Sequence, residues 1–287
     1  MLVNGCDCSI VIKTTHREID VPYSNETLRE AVSILQEEAP IEGDGVCRGI
    51  VNKHGVTGCV VTPLSLKTAP LLLYLAMGAV SAPLFVSETR NLYQYRLDLL
   101  TMEDTEHFDL LQDRGGERIL YEGCRVQGFE LRILRGEAIK LKLDIYGETA
   151  PKIYAFEESK QLEKKGNERF TGECVTYQIN GKENKNIYGI TLIAKKQGGT
   201  TTEIWIKRAL VKGNNIPSVI EDFSITAQLL RDSYEIRRFG TFRITLKRLV
   251  LIGDETEINT ADSAIGLLRF YVAGGTSAEV FTSGEGL

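Results

Sequence analysis

Apolar and polar residues alternate with a period of two along most of the chain, and this pattern sets the fold expectation. The clearest case runs from Cys124 to Ile145. Phe129, Leu131 and Ile133 alternate with Glu130 and Arg132, and after Leu134-Arg135-Gly136-Glu137 the residues Ile139, Leu141, Leu143 and Ile145 alternate with Lys140, Lys142 and Asp144. Such spacing describes a hairpin with one buried and one wet face. A hairpin before it is expected from His107–Gln112 and Ile119–Tyr121 around Arg114-Gly115-Gly116-Glu117. Further strands are expected at 10–13, 45–52, 57–62 and 93–100, and, around Gln197-Gly198-Gly199-Thr200, at 187–194 and 202–211. Strands at 223–229, 239–251 and 267–272 follow. Many strands with short glycine turns predict a mainly β chain: an antiparallel sandwich or barrel carrying one or two short helices.

Two helices interrupt the alternation. Ser24 stands where it can cap a helix bearing Leu28, Ala31, Val32 and Leu35 at i, i+3, i+4 and i+7, stopped by Pro40 and Gly43. The second runs over about 69–79, with Thr68 as N-cap, Pro70 in its first turn and Gly78 at its end. Its body is apolar almost all round, which predicts burial between sheets or at a contact between subunits. The polar run 157–169 is the expected linker between an N-terminal β domain (1–150) and a C-terminal β domain (151–287).

Composition changes this picture only by exclusion. The 287 residues are 43% hydrophobic and 25% charged, which rules out a disordered chain or a rod. The net charge of −5 is uneven: residues 1–150 hold 15 basic and 22 acidic side chains, residues 151–287 hold 19 and 17. A net acidic chain is a poor sequence-independent phosphate binder. Met1–Cys8 lacks a basic, apolar leader pattern, and the longest apolar stretch, 69–82, is broken by Pro70, Gly78 and Ser81, short of the roughly 20 residues a bilayer span needs. The six cysteines fit a reducing cytoplasm better than a disulfide scaffold.

Candidate chemistry is thin. His16, His54 and His107 belong to no spaced ligand set and read as surface or turn residues. Cys6 and Cys8 lack a matching second pair, and Gly43–Gly49 fits neither phosphate-loop spacing. Glu103, Asp104, Glu106, Asp109 and Asp113 could supply paired carboxylates, or be a solvated acidic loop. Neither a catalytic set, a cofactor nor a metal is expected.

Four stretches taken in order resemble the tail tube proteins of tailed bacteriophages. They are Ile41-Glu42-Gly43-Asp44-Gly45 after the early helix; Gly55–Leu64 running into the helix from Ala69; His107–Leu111 with Gly115-Gly116 and Tyr121-Glu122-Gly123-Cys124-Arg125-Val126, followed by Phe129–Ile133; and Gly240–Leu246. The match covers about 41–146 well and 151–235 poorly. The resemblance implies a subunit that closes into hexameric, or pseudo-hexameric trimeric, rings stacked into a hollow conduit for genome ejection. It also implies a tape-measure protein, a tail terminator and baseplate or tip proteins as partners, transient non-specific passage of DNA, no membrane, and a place in the virion tail after assembly in the host cytoplasm. Contact between copies would then fall to apolar positions of the buried helix and the strands: Leu72, Leu73, Leu75, Phe129, Leu131, Ile133, Phe242 and Ile244. Unpaired sheet edges suit this picture, because copies that pair them convert an aggregation hazard into an assembly contact. The wet face of 129–145 is not plainly anionic, so bore-facing residues are not assigned. The competing reading is a β-sandwich module that binds carbohydrate or a receptor through Tyr93, Tyr95, Tyr177 and Tyr188.

Overall fold

The computed structural model describes residues 9–15, 17–36, 49–78, 84–87, 92–101, 104–113, 117–155, 168–197, 201–213, 216–232, 237–257 and 265–283. In chain order the elements begin with β1 (Ser9–Lys13), β2 (Glu18–Val21), β3 (Asn25–Glu26), β4 (Arg29–Gln36) and β5 (Gly49–Pro63). Then come α1 (Ala69–Met77), β6 (Leu84–Ser87), β7 (Leu92–Asp98), β8 (Phe108–Asp113), β9 (Glu117–Leu134), β10 (Lys140–Gly147) and β11 (Lys152–Ala155). The remainder is β12 (Val175–Ile179), β13 (Lys182–Glu183), β14 (Ile187–Gln197), β15 (Thr201–Lys212), β16 (Val219–Asp232), β17 (Arg237–Glu257), β18 (Ile265–Val272) and β19 (Thr276–Ser283). The protein is mainly β, a sandwich whose antiparallel sheet is not closed into a barrel.

The predicted 129–145 hairpin is present as β9–β10, with Leu131 opposite Leu141 and Phe129 opposite Leu143. Gly136 takes φ +80° in its turn, a conformation glycine adopts without a Cβ penalty. Strand β9 is longer than expected. Its first part pairs with β8 and β11, its second with β10 and β14, so one strand runs through two ladders. From there the sheet continues β14–β15–β18–β17–β16–β12. The N-terminal part of β17 pairs with β19, and β19 with β7. Pairings β9–β14 and β7–β19 therefore join strands on either side of the boundary expected near 150. Of the expected linker, Glu168 and Arg169 are described. Leu66 N–H donates to the Glu168 carbonyl and Phe170 N–H to the Leu64 carbonyl, at 3.0 and 2.9 Å, which stitches this segment to the first half. Phe170 is buried edge-on against Phe242, with ring centroids 5.2 Å apart.

Helix α1 forms where expected. All its residues except Tyr74 are buried, and Gly78 ends it with φ +111° and its N–H on the Tyr74 carbonyl. A Cβ at Gly78 would meet the Leu100 side chain at 2.4 Å, so that terminus has no room for one. Thr68 is the N-cap residue, as expected, but its hydroxyl makes no cap hydrogen bond; it bonds Ser65 instead, both Oγ (2.9 Å) and N–H (3.2 Å).

The helix expected after Ser24 is absent. Residues 25–26 and 29–36 are strands β3 and β4, paired with β5 from Arg29 opposite Thr57 to Gln36 opposite Gly49. An isolated helix of this length is marginal, whereas β5 offers a continuous row of backbone partners. The 3.6-residue spacing of Leu28, Ala31, Val32 and Leu35 is thus overridden by tertiary pairing. The described part of the strand expected at 45–52 and the strand expected at 57–62 are one, because no turn occurs at Asn52–Gly55 within β5. His54 lies within β5, with its Nδ1 2.6 Å from Glu30 Oε1 on β4. Gly55 fits there because a Cβ would sit 2.6 Å from the Gly147 carbonyl oxygen.

Candidate functional site

The eight residues expected at a contact between copies, Leu72, Leu73, Leu75, Phe129, Leu131, Ile133, Phe242 and Ile244, are each at most 1% exposed. Their side chains are used up inside one protomer, where α1 packs against strands of both chain halves. A contact between copies through these side chains would require opening that core.

The surfaces left open are sheet edges. Among the described residues β6 pairs only with β7, β11 only with β9, and β4 only with β5. Edge strands normally carry charge or proline to discourage further pairing. Here β6 instead exposes Leu84 (59%), Phe85 (46%) and Val86 (47%), while β11 carries the charged Lys152 but exposes Ile153 (66%) and Tyr154 (47%) beside it. Phe85 is steadied by an edge-on contact with Tyr93, centroids 5.2 Å apart. Lys152 of β11 forms an ion pair with Glu122, which raises its pKa. Neither strand was anticipated from alternation. Leu84-Phe85-Val86 is continuously apolar, and that run was the available signal.

The wet face of β9–β10 carries both signs of charge. Lys142 Nζ lies 2.9 Å from Asp144 Oδ1, a hydrogen bond that raises the lysine pKa, and Arg132 is 3.6 Å from Glu137.

The carboxylates between 103 and 113 do not converge. Glu103 lies outside the described residues. Asp104 accepts from the Thr101 hydroxyl (2.5 Å), Asp109 from the Gly123 N–H (2.9 Å), and Asp113 lies 3.7 Å from Arg118. Glu106 accepts from the Thr15 hydroxyl (3.3 Å) and helps push the half-buried Tyr74 phenol to about 12, after desolvation. His107 faces Arg125, whose Nε is 2.7 Å from its Nε2. His16, Cys6, Cys8, Cys47 and residues 43–48 lie outside the described residues. Cys124 is buried, and desolvation followed by the Asp109 charge lifts its thiol to about 12, which makes it a poor nucleophile. No cluster of three metal-ligating side chains occurs among the described residues, and none of their helices is long and apolar enough to cross a membrane.

Of the tyrosines considered for ligand stacking, Tyr95 and Tyr177 are buried, and burial raises the Tyr177 pKa. Tyr93 packs on the core with its edge covered by Phe85, and Tyr188 has Arg135 over its ring at 5.6 Å. They form no common platform. An aromatic pair on the outer face does occur elsewhere: the half-buried Trp205 on β15 lies directly opposite the exposed Tyr271 on β18.

No protein-family model matches the chain, and no curated protein matches it.

Proposed function

We propose that the protein is a structural subunit of a phage or phage-like tail tube, which assembles with copies of itself into stacked rings around a conduit for DNA. The observation that carries this reading is the pair of apolar edges on β6 and β11, on a β-sandwich that does not close on itself. An edge of this kind is a template for pairing with another strand. A head-to-tail contact between two different edges of identical chains closes into a ring or continues as a filament. The order of the three later sequence stretches supports the same reading; the early helix that introduced the first is strand β4 instead. The carboxylates dispersed into structural contacts give no reason to prefer hydrolysis.

The test is negative-stain microscopy and sedimentation of the purified chain, alone and with a tape-measure fragment. Rings or hollow rods are expected, and Phe85→Lys in β6 or Ile153→Lys in β11 should abolish them while leaving the fold intact. A particle that stays at one or two copies at every concentration, with and without the fragment, refutes the proposal.

A further inference from the structure

One row of side chains crosses the solvent face of the sheet through five strands. Ile193 (β14) is opposite Trp205 (β15), Trp205 opposite Tyr271 (β18), Tyr271 opposite Val250 (β17) and Val250 opposite Val219 (β16). Their immediate neighbours Leu192, Ile206, Phe270, Leu249 and Ile220 are buried, so alternation places the row itself on the outer face. Tyr271 is 44% exposed, Val219 46%, and Ile252, two residues beyond Val250, 61%. A solvent face that is apolar across five consecutive strands is a docking surface rather than scattered exposure.

We infer that this row is the centre of a two-fold contact with a second copy of the same chain. The surface is complementary to itself in both size and charge. A two-fold axis running along the strand direction through Tyr271 sets Trp205 against Val250 of the other copy and Ile193 against Val219. Trp205 then meets the smaller Val250, while Tyr271 meets its own copy on the axis, where two rings can pack offset. The next row along the strands holds Lys195 (β14), Glu203 (β15), Arg248 (β17) and Glu221 (β16), all exposed. Because neighbouring strands are antiparallel, these residues flank the stripe on one side: Lys195 and Glu203 lie two positions from Ile193 and Trp205, Arg248 and Glu221 two positions from Val250 and Val219. Lys195 shares the face with Trp205, its Nζ 5.8 Å from the ring centroid.

The same axis brings Lys195 to the other copy's Glu221 and Glu203 to its Arg248. Four ion pairs follow, two from each half of the symmetric contact, with none of these residues facing its own sign. On the opposite flank Arg269 approaches the axis, but Glu255 pairs with it within each copy. Five strands at about 4.8 Å and three rows at about 6.8 Å make a face of about 24 by 20 Å, or on the order of 500 Å² before side-chain relief. That approaches the roughly 800 Å² per partner of a stable interface. The contact is independent of the tube reading, since an isologous pair closes on itself and uses neither β6 nor β11.

Sedimentation velocity over a hundredfold range of concentration tests this in the Phe85→Lys/Ile153→Lys background, which cannot form the tube contact. A monomer–dimer equilibrium is expected, and Tyr271→Arg should leave only monomer. Lys195→Glu and Glu221→Lys should each weaken the dimer about tenfold, since every reversal acts twice in a symmetric contact, and the double variant should return to within about threefold of the wild type. Both charge reversals sit at exposed positions, and unchanged circular dichroism checks that they fold. A strictly monomeric protein in that background overturns the inference, as does a dimer indifferent to Tyr271→Arg. A double reversal weaker than either single one overturns the pairing. A monomer whose Trp205 fluorescence responds to oligosaccharides overturns it in favour of a sugar platform. Loss of rods in the β6 and β11 variants with the dimer intact, or the reverse, separates this contact from the tube contact.

Discussion

Replacing Lys196 by methionine should stabilise the protein, by an amount that depends on pH in a defined direction. Lys196 follows Leu192 and Ala194 on the core-facing side of β14, is only 6% exposed, and its Nζ has no hydrogen-bond partner among the described residues. Desolvation lowers its pKa from 10.5 to about 8. At pH 7 both the folded and the unfolded chain carry the proton, so the folded state bears the full cost of the buried charge. A gap of about 2.5 pKa units at 1.36 kcal/mol each amounts to about 3 kcal/mol. Between pH 8 and 10.5 the unfolded chain holds more protons than the folded one, so wild-type stability rises with pH through that window. Methionine keeps most of the stem and removes the charge. Lys196→Met should therefore gain about 2–3 kcal/mol at pH 7 and under about 1 kcal/mol at pH 10. Urea unfolding at the two pH values, followed by Trp205 fluorescence, reads both numbers. A gain that does not change with pH, or a methionine variant less stable at pH 7, refutes the reasoning.

Other substitutions test the packing. Gly172→Ala places a Cβ 2.0 Å from the Leu134 carbonyl oxygen and should cost at least about 2 kcal/mol in chemical denaturation, with reduced soluble yield. Phe242→Ala removes the edge-on partner of Phe170 from a fully buried site, and an unfolding free energy lowered by about 3–5 kcal/mol is expected. Asn180→Ala loses the hydrogen bond its side chain accepts from the Asp222 N–H (3.0 Å) and puts alanine at φ +50°, for about 1–2 kcal/mol by the same assay. Cys124 should resist iodoacetamide at pH 8 in the native protein, where the partly exposed Cys59 and Cys174 react, and should label fully in denaturant.

Strands with one wet face were legible because alternation reports them directly. The β9–β10 hairpin and the all-apolar α1 are the clearest cases. Alternation names the buried face but not what buries it. Phe129, Leu131 and Phe242 could equally have met another copy, and only the ladder showed that they meet their own chain. The early helix failed because eight residues fitted two periods and β5 decided between them. Asn180-Gly181, at φ +50° and +77°, joins β12 to β13 in a turn the dipeptide itself announces, so that hairpin could have been read from the sequence. The outer stripe was harder to foresee. Ile204-Trp205-Ile206 is apolar on both faces, which usually means a strand covered on both sides, and nothing local says that one of those faces is bare.

The seam between β7 and β19 has a consequence for synthesis. Arg96 finds its backbone partner in Glu279, and α1 packs against both of these strands. A ribosome that has delivered α1 and β7 must therefore hold them, greasy and half-covered, until residues 276–283 emerge. Nascent chains arrested earlier should be chaperone clients, and premature stop codons anywhere in the second half should yield insoluble fragments rather than a smaller working unit.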